Sequence, residues 1–321
     1  MRAPNLAVPG AGRWRRTPPA IFPPIMGLFG LGLCWRRAAE AGMLPGAVGE
    51  MILGGVTLLF LFAAFAYLAK LARRTTALVD DLRILPGRAG LAAMVLCVYL
   101  LSITLVPYWP VLARSVLFAG LVAHLGLVAV LIHVFVTGPA EQRRVSPVWH
   151  LSFVGFIIGG LAAVLLGMEF LALFILAATA IMATTIWAVS LDQFVREGVP
   201  APLRPLLAIH LSPAALLGMV AARLGLVSLA QIFAVLAALL LGAMVLRLRW
   251  LTQAGFSPMW GAFTFPLAAT GSLWLGLGGV WLWPGMVVLA AATAVIPAIA
   301  WGVLRMWANG QLATRTNAAT A

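Results

Sequence analysis

The sequence predicts an all-α integral membrane protein of ten transmembrane helices with both termini cytoplasmic. Three observations carry this: the composition, the number of apolar runs of spanning length, and the placement of the basic residues. Of the 321 residues, 63% are hydrophobic and 9% charged, where soluble domains carry about 25% charged residues. Mean hydropathy is +1.07. A globular core that buried this much apolar surface would leave too few polar residues to cover its outside. The composition therefore excludes a soluble enzyme, a nucleic-acid-binding domain and a disordered chain. The net charge of +13 is scattered between apolar blocks rather than gathered in a patch, so no nucleic-acid partner is expected and the partner surface is the lipid bilayer.

A spanning helix needs about 20 mostly apolar residues. That ruler gives ten spans near 20–40, 46–69, 89–106, 109–136, 147–167, 168–193, 204–222, 225–247, 257–281 and 284–307. The first has basic residues ahead of it, as a signal peptide would. Leu33, just before Cys34, is not the small residue that a cleavage site needs, so an uncleaved helix is expected. Cys34 and Cys97 lie in apolar runs and read as buried small hydrophobes. The fifth and sixth spans are divided only by Gly167, Met168 and Glu169, and the eighth is a proline-free run from Leu226 to Leu246. Residues 1–16 form an N-terminal cytoplasmic segment and 17–307 the transmembrane domain. The tail 308–321 is small and polar, and is expected to be disordered.

Charge sets the orientation. With the N-terminus inside, only Arg36, Arg37, Arg114 and Arg223 of the 21 basic residues fall at outer ends. The remaining seventeen lie on the cytoplasmic side, a strong bias that also requires an even number of spans.

Prolines separate the spans into two kinds. The first holds Pro18, Pro19, Pro23 and Pro24, followed by Gly27, Gly30 and Gly32; the seventh holds Pro205 and Pro213; the ninth holds Pro258 and Pro266. The second, sixth and eighth have none inside, although Pro297 in the tenth breaks the rule. Proline removes a backbone donor, and lipid tolerates the orphaned carbonyl only beside protein or water. The odd helices should then face an interior and the even ones the lipid. Ser146-Pro147-Val148-Trp149 and Ser257-Pro258-Met259-Trp260 open the fifth and ninth spans, and Thr17-Pro18 opens the first. This recurring cap-then-proline start suggests repeated helical hairpins with the odd helices equivalent around an axis.

Enzyme motifs are missing. The only adjacent carboxylates, Asp80 and Asp81, sit in an arginine-rich loop, and His124 and His133 are 2.5 turns apart on opposite helix faces. No catalytic residue, metal or cofactor is expected. Ser212-Pro213 reads either as a helix restart whose N–H groups favour an anion or as a packed kink. His210 reads either as an anion-binding or titrating group or as hydrogen-bonded packing. Glu169 is expected to pair with Arg114 or Arg223, or else to sit in interfacial water. A path along the odd helices would be neutral and aromatic, which suits small anions better than cations.

Several stretches resemble the tellurite-resistance/dicarboxylate transporter family, which includes fungal malate and sulfite transporters and the slow-type anion channels of plant guard cells. They are Thr17-Pro18-Pro19-Ala20-Ile21-Phe22 through Met26-Gly27-Leu28-Phe29-Gly30-Leu31 to Trp35-Arg36, then Gly167-Met168-Glu169, Leu206 to Val220, and Trp260-Gly261-Ala262-Phe263-Thr264-Phe265-Pro266-Leu267. The resemblance covers nearly the whole chain in register. It implies five helical hairpins around a central pore, a homotrimer with one pore per subunit, and passage of small inorganic or organic anions across a bacterial inner membrane. It also implies that Phe265 of the ninth helix occludes the pore, with Gly27 beside it. Phe22, Phe156, His210, Ser212, Pro213 and Phe263 are the further pore-lining candidates. The chain departs from the family at His210-Leu211-Ser212 and at Gly155-Phe156-Ile157, which lacks a frequent asparagine. A proton-coupled carrier of dicarboxylate, tellurite or sulfite, with His210 titrating, is the alternative.

Overall fold

The computed structural model describes residues 14–321. Most of the expected segment 1–16, including Arg2 and Arg13, lies outside the described residues. Ten helical rods follow one another: α1 (Phe22–Glu40), α2 (Gly46–Arg73), α3 (Leu85–Leu105), α4 (Pro110–Thr137), α5 (Phe156–Leu165), α6 (Glu169–Arg196), α7 (Leu211–Arg223), α8 (Val227–Leu246), α9 (Gly261–Leu277) and α10 (Leu282–Ala308). Among the described residues, seven helices are long and apolar enough to cross a membrane: α2, α3, α4, α6, α8, and the rods that contain α7 and α10. The other three rods are shorter or less apolar. α1 carries Arg36 and Arg37 with two prolines, the rod ending in α5 spans only His150–Leu165, and α9 has 17 residues.

The odd rods pack in a closed ring, α1 on α3, α3 on α5, α5 on α7, α7 on α9 and α9 on α1, and each even rod packs outside its hairpin partner. Of the best apolar window of α3 and of the α7 rod, 78% is buried, against 22% for α8 and 39% for the α10 rod. Apart from Leu203 at the start of the α7 rod, every large hydrophobic side chain exposed among the described residues lies on an even helix or a link. This is the division expected from the prolines. An apolar outer wall around an apolar inner ring makes sense only in lipid, where burying the wall in protein gains nothing.

The hairpins repeat in their turns. The N–H of Trp149 bonds to the Ser146 carbonyl at 2.9 Å, that of Trp260 to the Ser257 carbonyl at 3.0 Å, and that of Ile21 to the Pro18 carbonyl at 3.2 Å. Backbone carbonyls therefore close these starts. The Ser257 hydroxyl makes no capping bond, a correction to the side-chain cap expected from the sequence. At the far end, Gly42, Gly167 and Gly225 each take positive φ. The residue after each glycine bonds back to the carbonyls of Ala38, Ala163 and Ala221, at 3.0, 2.9 and 2.9 Å. That is one helix-terminating turn used three times, and it needs a residue without Cβ penalty at the left-handed position.

The tail is not disordered as expected. A short helix, Gln311–Arg315, buries Leu312 completely. Beyond it, the Ala319 N–H donates to Asp81 Oδ1 at 2.8 Å, Arg74 donates to the Thr320 carbonyl at 2.7 Å, and the Ala321 N–H donates to the Arg15 carbonyl at 3.0 Å. Residue 15 and the C-terminal residue thus lie at the same end of the bundle.

Candidate functional site

The ring of odd rods encloses the site. α9 packs closely on α1 at Gly27, where a Cβ would overlap the Thr264 side chain. The Thr264 hydroxyl donates to the Gly261 carbonyl at 2.7 Å and approaches the Pro23 carbonyl at 3.3 Å. One residue on, Phe265 turns toward the axis. Its ring lies against Gly30, where a Cβ would stand 3.1 Å from ring Cδ2 and 3.0 Å from Ala268 Cβ. Pro266 follows inside α9 and donates no N–H to the Ala262 carbonyl.

Three small cavities run along the axis. One, of about 40 Å³, is lined by the first turns of the odd rods, including Pro23, Met26, Pro86, Leu206 and Ser212. A second, of about 100 Å³, is lined by their last turns, including Arg36, Arg37, Leu100, Leu161 and Met219. A third, of about 10 Å³, touches His150, Val154, Ile158 and Pro213. Phe265 alone lines all three. It is only 6% exposed and stands between the cavities at the two ends. No α2, α4, α6, α8 or α10 residue lines any of the three. Their charge is confined to Arg36, Arg37 and Glu40 in the second, and the first offers only the Ser212 hydroxyl.

Of the eight path residues expected from the sequence, Phe265, Ser212 and Pro213 meet at these cavities, and the other five do not line them. Gly27 is the helix-contact glycine just described. Phe22 is fully buried toward α2, edge-on to Phe60 and Tyr67 with ring centroids 6.3 Å away in both cases. Phe156 stacks on His124 at 3.7 Å, on the α4 side. Phe263 packs edge-on to Trp260 at 5.8 Å. Two residues along a helix turn the side chain by about 200°, so only one of the two phenylalanines can face the axis.

His210 also faces away. Ala201–His210 is wound as a 3₁₀ helix. With three residues per turn, Leu206, Ile209 and Ser212 share the inward face, while His210 lines an outer groove of about 470 Å³ with Trp187, Leu240, Met244 and Trp250. Its Nδ1 lies 2.9 Å from His150 Nε2, and its carbonyl accepts the Trp187 indole N–H at 3.2 Å.

Glu169 is exposed at the start of α6 with no ion pair among the described residues, so the expected pairing does not form. Arg223 instead reaches Glu40 at 3.6 Å. Reading the sequence missed Gly30, His150, Arg36 and Arg37 as cavity residues. Only Gly30 left a signal, one turn from Gly27 and five residues ahead of Trp35. In the sequence the two arginines read as topology markers alone.

No individual curated protein matches the chain. The family model described as voltage-dependent anion channel, SLAC1, matches residues 16–306, which takes in all ten rods except the last two residues of α10. Members of this family are transporters and channels rather than enzymes. The closed ring of broken helices and the match over nine-tenths of its length therefore lead to one statement: the chain belongs to the voltage-dependent anion channel family, that of slow anion channels and related dicarboxylate and tellurite transporters.

Proposed function

We propose that this protein passes small anions across the membrane along the axis of the odd helices, and that Phe265 closes the path in the conformation described. The observation that carries the reading is the position of one side chain, Phe265, between cavities that open toward opposite ends of the ring. The cavities hold no acidic ring to attract cations, and Glu40 is outnumbered by Arg36 and Arg37. Oriented backbone and arginine charge in a water-poor space favours a negative ion.

In this reading all ten rods cross the bilayer of the inner membrane, and both termini are cytoplasmic. The bond from the Ala321 N–H to the Arg15 carbonyl supports an even number of crossings, and the seventeen-to-four division of basic residues supports the orientation. The protein assembles as a homotrimer with one path per subunit, as the resemblance described above implies. The deciding measurement is the reversal potential of Phe265→Ala protein in planar bilayers under a steep potassium chloride gradient. A potential close to that of chloride is expected. One close to that of potassium, or no current above protein-free bilayers, sinks the reading.

A further inference from the structure

The cavity at the Arg37 end has chemistry that a neutral path does not need. Two arginines line it, and they are used differently. The Arg36 guanidinium is held by four contacts: Nε and Nη2 each meet a Glu50 oxygen at 2.7 Å, while Nη1 and Nη2 approach the carbonyls of Ile103 and Thr104 at 3.4 and 3.3 Å. That planar fork is held in place and serves as a wall. Arg37 makes a single ion pair, from Nη1 to Glu40 Oε2. A guanidinium carries five N–H donors, so Arg37 keeps donors in hand, although its side chain is only 17% exposed. The same Glu40 oxygen lies 3.6 Å from Arg223 Nη2. Glu40 therefore has a second arginine to turn to if it leaves Arg37. The Ser272 hydroxyl lines the same cavity.

We propose that this cavity is a binding site for one small inorganic anion, of the class of chloride, bromide or nitrate. The Arg37 guanidinium holds the anion, and Glu40 competes for the same donors. Ser272 forms the α9 side of the site. Around the mouth, Arg36, Arg37 and Arg223 face Glu40 and Glu50, which leaves one positive charge uncompensated. In a partly desolvated space, a charge-assisted hydrogen bond to an anion is about twice as strong as a neutral one. The volume of about 100 Å³ is ample for a few waters. It suits a small inorganic anion with part of its hydration. An anion arriving there displaces Glu40 toward Arg223 and rests one helix turn or two from Phe265. Glu40 is thus the specificity-determining residue, because its carboxylate sets how strongly an anion must bind to take its place.

The role in passage rests on the function proposed above, but the binding does not. The test is therefore made on purified protein in detergent, with bromide titrated against gluconate at constant ionic strength and the thermal midpoint read at each step. A ligand that binds only the folded state raises that midpoint in a saturable way. Wild type is expected to show a saturable rise. Glu40→Gln is expected to reach half-saturation at a several-fold lower bromide concentration, and Arg37→Gln is expected to lose the saturable rise. Arg114→Gln, at an exposed site on α4, should behave as wild type. If Arg37→Gln titrates like wild type, or Glu40→Gln binds no more tightly, the site is overturned. Should Arg37→Gln fail to fold, the Glu40→Gln arm decides by itself. A chloride-selective current through Phe265→Ala with no Arg37-dependent rise removes the site and leaves the passage reading. The rise without any current leaves the site and removes its role in passage.

Discussion

Lys70 Nζ lies 2.7 Å from Asp81 Oδ2, and neither side chain has any exposed surface. The pair ties four parts of the chain together. The Tyr67 hydroxyl donates to the same Asp81 oxygen at 2.9 Å, Lys70 donates to the Thr17 carbonyl at 3.2 Å, and the Ala319 N–H donates to the other Asp81 oxygen at 2.8 Å. The start of the first rod, the end of α2, the link after it and the C-terminal tail thus share one polar centre. Asp81→Asn leaves the ammonium without its counter-charge, and removing one partner of a buried pair costs about 3–5 kcal/mol. The expected result is a clear drop in thermal midpoint in detergent, largely recovered in Lys70→Met/Asp81→Leu. Equal midpoints for Asp81→Asn and wild type would show that the pair contributes nothing.

Gly27 and Gly30 lie on one face of α1, yet the two positions should respond differently to a methyl group. At Gly27 the added carbon overlaps the Thr264 side chain, which the α9 backbone holds in place. Overpacking of this kind costs about 1–3 kcal/mol, so Gly27→Ala should lower the yield of monodisperse protein. At Gly30 the added carbon meets the edge of the Phe265 ring at 3.1 Å, and the ring can turn about its own side-chain bonds. Gly30→Ala should fold normally and alter the current. Size-exclusion profiles and bilayer currents of the two variants separate these effects. A Gly30→Ala protein with wild-type current would remove the ring contact from the mechanism.

The orientation of His210 gives a third expectation. Its ring faces the outer groove and bonds to His150, so it does not meet an ion on the axis. His210→Ala should leave the shape of the pH dependence of anion flux between about pH 5 and 8, where histidine ordinarily changes charge, the same as in wild type. The thermal midpoint should fall, because His150 Nε2 loses its partner. A flattened flux profile would return His210 to the path and make the carrier reading the better one.

These outcomes also mark how far the sequence can be read. Element type and order were legible because lipid imposes long apolar runs, and because a proline in a spanning helix has to be covered by protein or water. Pro23, Pro86, Pro213, Pro258 and Pro266 all line the inner cavities. Rotation about each helix axis was not legible. A π turn over His150–Val154 and the 3₁₀ winding before His210 shift the register of the faces, and neither departs from a helical pattern in the sequence. The tail looked like linker because its order comes from a distant acceptor, Asp81, rather than from its own residues. Arg36 and Arg37 look alike in sequence, and only the bidentate contact with Glu50 separates the wall from the spare donor.

The last expectation concerns the Phe265 ring, proposed above to close the axis. Phe265 lines every cavity along the axis, and the carbonyl one turn before Pro266 receives no helical N–H, so α9 is weakest beside this ring. A hydrophobic constriction excludes ions by filling the volume and by keeping water out. Truncation to alanine removes the ring, joins the cavities of about 40 and 100 Å³, and lets a continuous file of water form. Loss of a ligand-binding side chain would lower transport, but loss of a plug should raise it. Phe265→Ala is therefore expected to increase anion conductance several-fold or more over wild type. Phe263→Ala, which removes the edge contact with Trp260 and packing against the core, should leave conductance near wild type and lower stability. A Phe→Ala change in a core costs about 3–5 kcal/mol. The Phe265 ring borders three voids and has fewer packing partners to lose, so its variant should fall at or below that range and remain folded. Currents are compared at equal membrane insertion, measured by surface labelling. A well-inserted Phe265→Ala protein that conducts no more than wild type means that this ring does not close the path.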